Sequence, residues 1–492
     1  MRKKLKNIAV FIAIYLISFT GLSSYWFINH FSGVGIRGII FTLKAPAEGT
    51  DPAIVSSFII QVLIAGLVIS IIYFYVARLS HLKIKLKNRE RRIKASIAAL
   101  IVLVGVSSIN VVNAAQAVSL MDYIDSQINR STIYEDYYVD PQSVKIDFPQ
   151  QKRNLIYIVL ESMESTFTSV ENGGVFEHSL IPNLEKLQQD NYSFSTNDLN
   201  AGEYTVGGTG FTVGSLVAQS SGVPLTLPID GNSYTGFGTF LPGAYAIGNV
   251  LEANGYNQVF MCGSDADFGG RSSYYTTHGN YEIDDYNYAI ERGWIPEDYH
   301  VFWGYEDTKL LEFSKIRLAE LASEDEPFNF TMLTVNTHSP EGWVEEGCQD
   351  LYDEQYSNVI HFSDEQVSDF IEWIQQQDFY DNTTIVIKGD HVSMSSEYLS
   401  DLEGYTRTPY NAIINPAVTT DNMKNRSFSH MDWYPTTLAA MGATIEGDRL
   451  GLGTNLFSTV PTLMEELSVR TVAGQICNKS DYYDNYLLYG GN

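Results

Sequence analysis

Four short stretches of this sequence place chemically capable side chains beside apolar runs of strand length. Glu161 follows Leu155-Ile-Tyr-Ile-Val-Leu160, and Asp390-His391 follows Thr383-Thr-Ile-Val-Ile-Lys-Gly389. His338 comes shortly after the stretch Phe328 to Val335, and Thr209 stands within Gly207-Gly208-Thr209-Gly210. Two carboxylates, an imidazole and a hydroxyl brought to one place could bind one divalent cation, and oxygen donors with a single His suit Mn²⁺, Mg²⁺ or Zn²⁺. Such a cation lowers the pKa of the Thr209 hydroxyl and makes an alkoxide nucleophile. Glycines around Thr209 permit a tight turn and close approach of a phosphate, and a following helix would aim its first amides at developing negative charge.

The elements that must position these groups can be read from periodicity. Strands are expected at Leu155–Leu160, Gln258–Met261, Phe328–Val335, Thr383–Ile387 and Tyr410–Ile414. Helices are expected at Pro182–Gln189, 212–220, Tyr245–Ala253, Asp307–Ala322 and Met431–Met441. Another helix is expected from Ser363, whose partner Gln366 completes a capping pattern, to Gln376. Strands alternating with helices predict an α/β fold with a largely parallel sheet, whose strand ends converge on one crevice.

Before this region lie three uncharged apolar runs, Ile8 to Ile28, Ala53 to Ala77 and Ala95 to Ala115. Each is long enough to cross a bilayer as a helix, which takes about 20 residues. Arg2, Lys3, Lys4 and Lys6 precede the first run, and Arg78, Lys83, Lys85, Lys87, Arg89, Arg91, Arg92 and Lys94 separate the second from the third. Basic loops stay on the cytoplasmic side, so everything after Ala115 is expected outside the cell membrane. The expected division is a membrane domain over 1–115, a juxtamembrane linker over 116–151 and a catalytic domain over 152–492. Residues 1–94 carry 14 Lys+Arg against 3 Asp+Glu, while the rest of the chain carries 17 against 55. So acidic a body excludes nucleic acid as a partner, since phosphate backbones demand basic surfaces. Cys262, Cys348 and Cys477 form no CxxC pair and permit at most one disulfide, which excludes a structural zinc site and a disulfide-stapled fold.

The motifs resemble those of lipoteichoic acid synthases and of the phosphoglycerol transferases that decorate periplasmic glucans, within the alkaline phosphatase/sulfatase superfamily. They are Tyr157-Ile-Val-Leu-Glu161-Ser, Gly208-Thr209-Gly-Phe-Thr212, Asn336-Thr-His338-Ser-Pro340, Lys388-Gly-Asp390-His391 and Phe428-Ser-His430-Met-Asp432-Trp-Tyr-Pro435-Thr436. The stretch Gly207 to Pro224 is more similar to the glucan-modifying branch. The resemblance implies a sulfatase-like sheet flanked by helices. It also implies one metal, usually Mn²⁺, held by Glu161, Thr209, Asp390 and His391. Thr209 would take glycerol phosphate from phosphatidylglycerol, release diacylglycerol, and pass the group to a glycan or teichoic-acid acceptor.

By the same resemblance, His338 contacts the phosphate or assists proton transfer, Arg271 in Phe268-Gly-Gly-Arg271 grips the glycerol phosphate, and His430 and Asp432 close the sheet near the substrate. Gly269 replaces an aromatic residue of the family motif. Thr334 stands where two-metal relatives carry an Asp ligand, so one metal is expected. The Cys/Ser-x-Pro-x-Arg motif of sulfate-ester hydrolases is missing. Ala115-Gln116-Ala117 has the form of a signal-peptidase site. Tyr and Trp residues through 280–305 could line a glycan or lipid groove. Alternative functions are a phosphodiesterase, a phosphoethanolamine transferase, against which the three cysteines speak, or an inactive ectodomain that binds an envelope partner.

Overall fold

The computed structural model describes residues 2–31, 36, 52–77, 82–86, 89–226, 239–395, 398–399, 402 and 404–491. Arg78 and Lys87 of the expected inner basic loop lie outside them. The chain divides into two compact units, 1–33 with 50–122 and 34–49 with 123–492.

Among the described residues, three helices of the first unit are long and apolar enough to cross a membrane: Leu5–His30, Ile54–Val76 and Ala95–Ala117. Polar side chains tie them together. Ser107 Oγ and Asn110 Nδ2 of the third helix donate to the carbonyls of Ile17 and Gly21 of the first, each at 3.1 Å. Trp26 Nε1 donates to Ser57 Oγ of the second at 2.9 Å. Many of their apolar side chains face outward; Ile101 and Val102, for example, are each 64% exposed. Ala115-Gln116-Ala117 forms the end of the third helix.

The second unit is built on a six-stranded sheet. Its strands are β1 (Asn154–Leu160), β2 (Asn257–Cys262), β3 (Glu282–Asp284), β4 (Phe328–Leu333), β5 (Thr383–Gly389) and β6 (Asn411–Ile414), in the order β3-β2-β4-β1-β5-β6. All neighbours are parallel except β6, which runs antiparallel to β5 at the edge. β1 is buried on both faces because its alternating residues enter two different cores. Leu155, Tyr157 and Val159 pack with Leu216, Val217 and Trp433 on one face. Ile156, Ile158 and Leu160 pack with Leu184, Leu310 and Ile360 on the other. This is the continuous apolar run of a parallel strand covered by helices on both sides. Helices α2 (Thr212–Ser221) and α5 (Trp433–Ala440) cover the first face, and α1 (Pro182–Asp190), α3 (Asp307–Ala322) and α4 (Gln355–Gln375) cover the second.

Three local readings change. α4 starts at Gln355, eight residues before the expected Ser363 cap, because Tyr356, Val359 and Ile360 continue its apolar face; Ser363 is a buried interior residue. β3, only three residues long, escaped periodicity altogether. The stretch 116–151, expected as a linker, carries helices Leu120–Ile128 and Ile133–Tyr137, and Ile146–Asp147 pairs with Thr444–Ile445. Ile133 and Tyr134 belong to the core of the second unit, so the chain from Tyr123 is folded with it.

Candidate active site

The carboxyl ends of β1 and β5 are adjacent in the sheet, with Leu160 level with Gly389. The residues that follow them, Glu161 and Asp390-His391, therefore meet. Glu161, Asp390 and His391 are buried and each offers a ligand atom within 4.8 Å of the others. His391 Nε2 lies 3.2 Å from Asp390 Oδ2 and 3.7 Å from Glu161 Oε1.

The surrounding backbone holds these groups in place. Ser162 adopts a left-handed conformation (φ 52°), which turns its amide to donate to Asp390 Oδ1 at 2.7 Å, while its hydroxyl donates to Glu161 Oε1 at 2.7 Å. A strained non-glycine residue is kept where the surroundings over-determine it, and here it joins two acidic groups. The amide of His391 gives Asp390 Oδ1 a second bond at 2.7 Å. Nδ1 of His391 lies 2.9 Å from the carbonyl of Val392, so it carries the proton and leaves Nε2 facing the carboxylates. Thr334 Oγ1 accepts from the amide of Glu161 at 2.9 Å, and Thr337 Oγ1 donates to its carbonyl at 2.5 Å.

This donor set fits a divalent cation. Asp390 Oδ2 is fully buried yet accepts no hydrogen bond, and a buried carboxylate oxygen without a partner calls for one. Burial, then the neighbouring Glu161 carboxylate, pushes Asp390 up to about 7. Burial also works against Glu161 ionising, but His338 and His391 outweigh it and hold Glu161 below the usual range. Burial disfavours the His391 cation, yet Asp390 and Glu161 raise its pKa. The pocket thus draws positive charge.

The hydroxyl that reaches this cluster is not Thr209. Thr209 is buried in a turn, where its Oγ1 donates to the Val206 carbonyl at 3.0 Å and accepts from the Val206 amide at 3.1 Å. Thr212, the first residue of α2, instead has its Oγ1 at 3.3 Å from both Glu161 Oε2 and His391 Nε2. The two threonines are three positions apart, and the helix start decides between them. At the start of α2 a side chain shares its space with backbone amides that have no partner within the helix. The helix expected at 212–220 carried that signal: a nucleophile that needs helix amides should stand at its first residue. The start of α2 is fixed by Gly214, where an added Cβ would fall 2.4 Å from the Gly208 carbonyl and 2.8 Å from the Phe211 ring.

His430 also corrects an expectation. It is fully enclosed behind Asp390, with Nε2 at 2.8 Å from the Asp390 carbonyl and 3.5 Å from Glu203 Oε1. Burial drives its pKa down to about 4. It braces the loop from beneath instead of facing a substrate. Ser215 of α2 donates to the same Asp390 carbonyl at 2.5 Å. Asp432 caps its own turn, accepting from the amides of Ser429 and Thr454, each at 2.8 Å.

Arg271 is buried, and its Nε and Nη2 donate to Phe268 O at 3.0 Å, Asp265 O at 2.7 Å and Ser264 Oγ at 3.1 Å. It therefore braces the loop carrying Phe268. The Phe268 ring lies 5.2 Å from Trp303, which in turn lies 5.1 Å from His338. His338 is partly exposed, with Nδ1 at 2.9 Å from the Ser339 carbonyl. A buried pair missed in the sequence, Lys388 with Glu203, lies just behind the cluster.

Comparison with known proteins places this geometry. The sulfatase family model matches residues 153–443, and the model of the N-terminal domain of phosphoglycerol transferase I matches residues 1–129. Phosphoglycerol transferase I of Xanthomonas campestris pv. campestris (strain B100) is 28% identical over 389 residues, covering 77% of this chain and 52% of the relative. Its namesake in Citrobacter koseri is 26% identical over 377 residues, covering 75% and 46%. The chain thus spans about half the length of the curated relatives it matches. Among solved structures, the lipoteichoic acid synthase LtaP of Listeria monocytogenes is 20% identical with a TM-score of 0.48, covering 64% of this chain and 79% of that one. The curated relatives agree with the resemblance carried by the motifs. Since the sulfatase model spans more than half of the sequence, including the sheet and the acidic cluster, the chain belongs to the sulfatase family.

Proposed function

We propose that this protein is a metal-dependent phosphoglycerol transferase, moving glycerol phosphate from phosphatidylglycerol to an envelope glycan or teichoic acid with Thr212 as the nucleophile. The observation that carries this is the Thr212 hydroxyl, held at the start of α2 at 3.3 Å from Glu161 and His391. Its support is that the curated relatives are named phosphoglycerol transferase I. Glu161, Asp390 and His391 would hold one divalent cation, with Mn²⁺ the first choice for this donor set. A bound cation supplies the charge that acidifies the hydroxyl and offsets the phosphoryl oxygens.

Thr212 Oγ1, its proton released to solvent beforehand, attacks the phosphorus of phosphatidylglycerol as the alkoxide; the bond to the diacylglycerol oxygen breaks, and that oxygen takes up a proton. The first amides of α2 stabilise the charge on the phosphoryl oxygens. An acceptor hydroxyl then attacks the phosphoryl-threonine, forming the new ester and returning the Thr212 oxygen. His338, its Nε2 directed away from the Ser339 contact, donates the first proton and accepts the second. The basic residues flanking the spans support a location of the unit from Tyr123 onward outside the membrane, facing the leaflet that supplies the lipid donor.

The test is diacylglycerol release from fluorescent phosphatidylglycerol by the detergent-purified protein with Mn²⁺. Wild type and Thr209→Ala should release it, whereas Thr212→Ala should fall by at least about 10³-fold. Cleavage of phosphatidylethanolamine in place of phosphatidylglycerol would defeat the donor assignment. A dead Thr209→Ala beside an active Thr212→Ala would defeat the nucleophile.

A further inference from the structure

Beside His338 lies a cluster of aromatic rings that the transfer chemistry does not use. Phe302 and Trp303 stand at the apex of a turn closed by reciprocal backbone bonds between Val301 and Gly304, at 2.8 and 2.9 Å. Gly304 has φ +155° and presses on the end of β2, where a Cβ would fall 2.1 Å from the Gly263 carbonyl. Phe302 itself takes a left-handed φ of 52°. Backbone strain of this kind, on an aromatic residue, is kept only where the fold enforces it. The result is that the Phe302 ring stacks on Trp343 from the loop after β4, with centroids 5.7 Å apart and planes 19° apart. Trp303 bridges Phe268 and His338 at 5.2 and 5.1 Å. None of Phe268, Phe302, Trp303 or Trp343 is fully buried, and neighbouring Val344 is 45% exposed.

We infer that Trp303, Phe302 and Trp343 form the acceptor subsite and that its occupant is an uncharged sugar ring. Its role rests on the phosphoglycerol-transfer reading; its ligand does not. Flat, partly exposed rings offer large rigid contact area to the apolar face of a saccharide. Charge decides against a polyanionic acceptor. The three segments that carry the rings, 265–272, 297–306 and 341–346, hold eight Asp+Glu against one Lys/Arg. That one cation is Arg271, whose Nε and Nη2 are bonded to its own loop. Glu306 is paired with Lys309 and Glu345 accepts from Asn336 and Gln366, which leaves six carboxylates on these segments to accept hydrogen bonds from sugar hydroxyls and repel a chain of phosphates.

The experiment is titration calorimetry on the full-length protein in a zwitterionic detergent, since a sugar headgroup would compete. The probes are a neutral glucose tetrasaccharide, a poly(glycerol phosphate) oligomer, and phosphatidylglycerol vesicles. Wild type should bind the tetrasaccharide and bind the anionic oligomer more weakly. Trp303→Ala and Trp343→Ala should each lose about tenfold in tetrasaccharide affinity, while Trp303→Phe stays within about threefold of wild type. The inference is overturned if wild type ignores the tetrasaccharide, if both alanine variants bind it like wild type, or if the anionic oligomer binds tighter. It is also overturned if the variants lose affinity for the vesicles alone, which makes the rings a lipid contact. A protein that binds sugar through Trp303 yet never cleaves phosphatidylglycerol would sink the proposed activity and leave this subsite standing.

Discussion

Lys388 and Glu203 show how much a single buried group can weigh. Both side chains are completely enclosed, and Lys388 also lies over the Trp433 ring with Nζ 4.6 Å from its centroid. Burial lowers the Lys388 pKa despite the pull of Glu203. Removing one partner strands the other charge, so Lys388→Met should cost about 3–5 kcal/mol in chemical denaturation. The double change Lys388→Met/Glu203→Leu should recover most of that loss; if it is as unstable as the single, the pair is not what stabilises this region. Asp432 makes a separate case. Burial, the dominant cause, pushes it up to about 7 even though the Ser429 and Thr454 amides act the other way. The folded chain then holds this proton more tightly than the unfolded one, whose Asp titrates near 4. The stabilising contribution is therefore full below pH about 4 and lost as pH rises through about 7. Unfolding midpoints measured across that window in chelator should fall less steeply for Asp432→Asn than for wild type, and parallel curves would refute the assignment.

At the scale of elements, the proposed chemistry depends on where α2 begins. Its first turn is tied to the acidic cluster by Thr212 and by the Ser215 bond to the Asp390 carbonyl. Gly214 allows the turn at Gly208 to lie directly against it. Gly214→Ala should shift that turn by a fraction of an ångström or more. A misplacement near 1 Å can cost about 10²-fold in rate, so lipid cleavage should drop by that order while the far-UV circular dichroism keeps its shape. An unchanged rate would show that the start of α2 tolerates displacement. The sheet itself was legible from alternation and from β-branched runs, because strands covered on both faces are apolar throughout. β3 and the early start of α4 were not, since three residues carry no measurable period and a cap pattern can occur inside a helix.

At the scale of the whole molecule, orientation decides whether the proposed site reaches an external acceptor. Three helices suited to a bilayer precede a strongly acidic globular unit. Cys348 is partly exposed, and Cys262 is buried. In protoplasts, a membrane-impermeant maleimide should modify the full-length chain, and Cys348→Ser should reduce that labelling. Modification only after permeabilisation would put the globular unit on the cytoplasmic side and separate it from an external acceptor.

Properties carried by neighbours along the chain could be read directly from the sequence. The three apolar spans, the strand-helix alternation, and the placement of Glu161 and Asp390-His391 after strands are all of this kind. Adjacent parallel strands then had to bring those ends together. Only the tertiary structure chose Thr212 over Thr209, because both sit in one glycine-rich stretch and the choice depends on which hydroxyl faces the cluster. It alone placed His430 behind Asp390 and bonded Arg271 to its own loop, since burial and hydrogen-bond partners are set by residues far away in sequence. It also assembled Phe302, Trp303 and Trp343, from two separate loops, into one aromatic face.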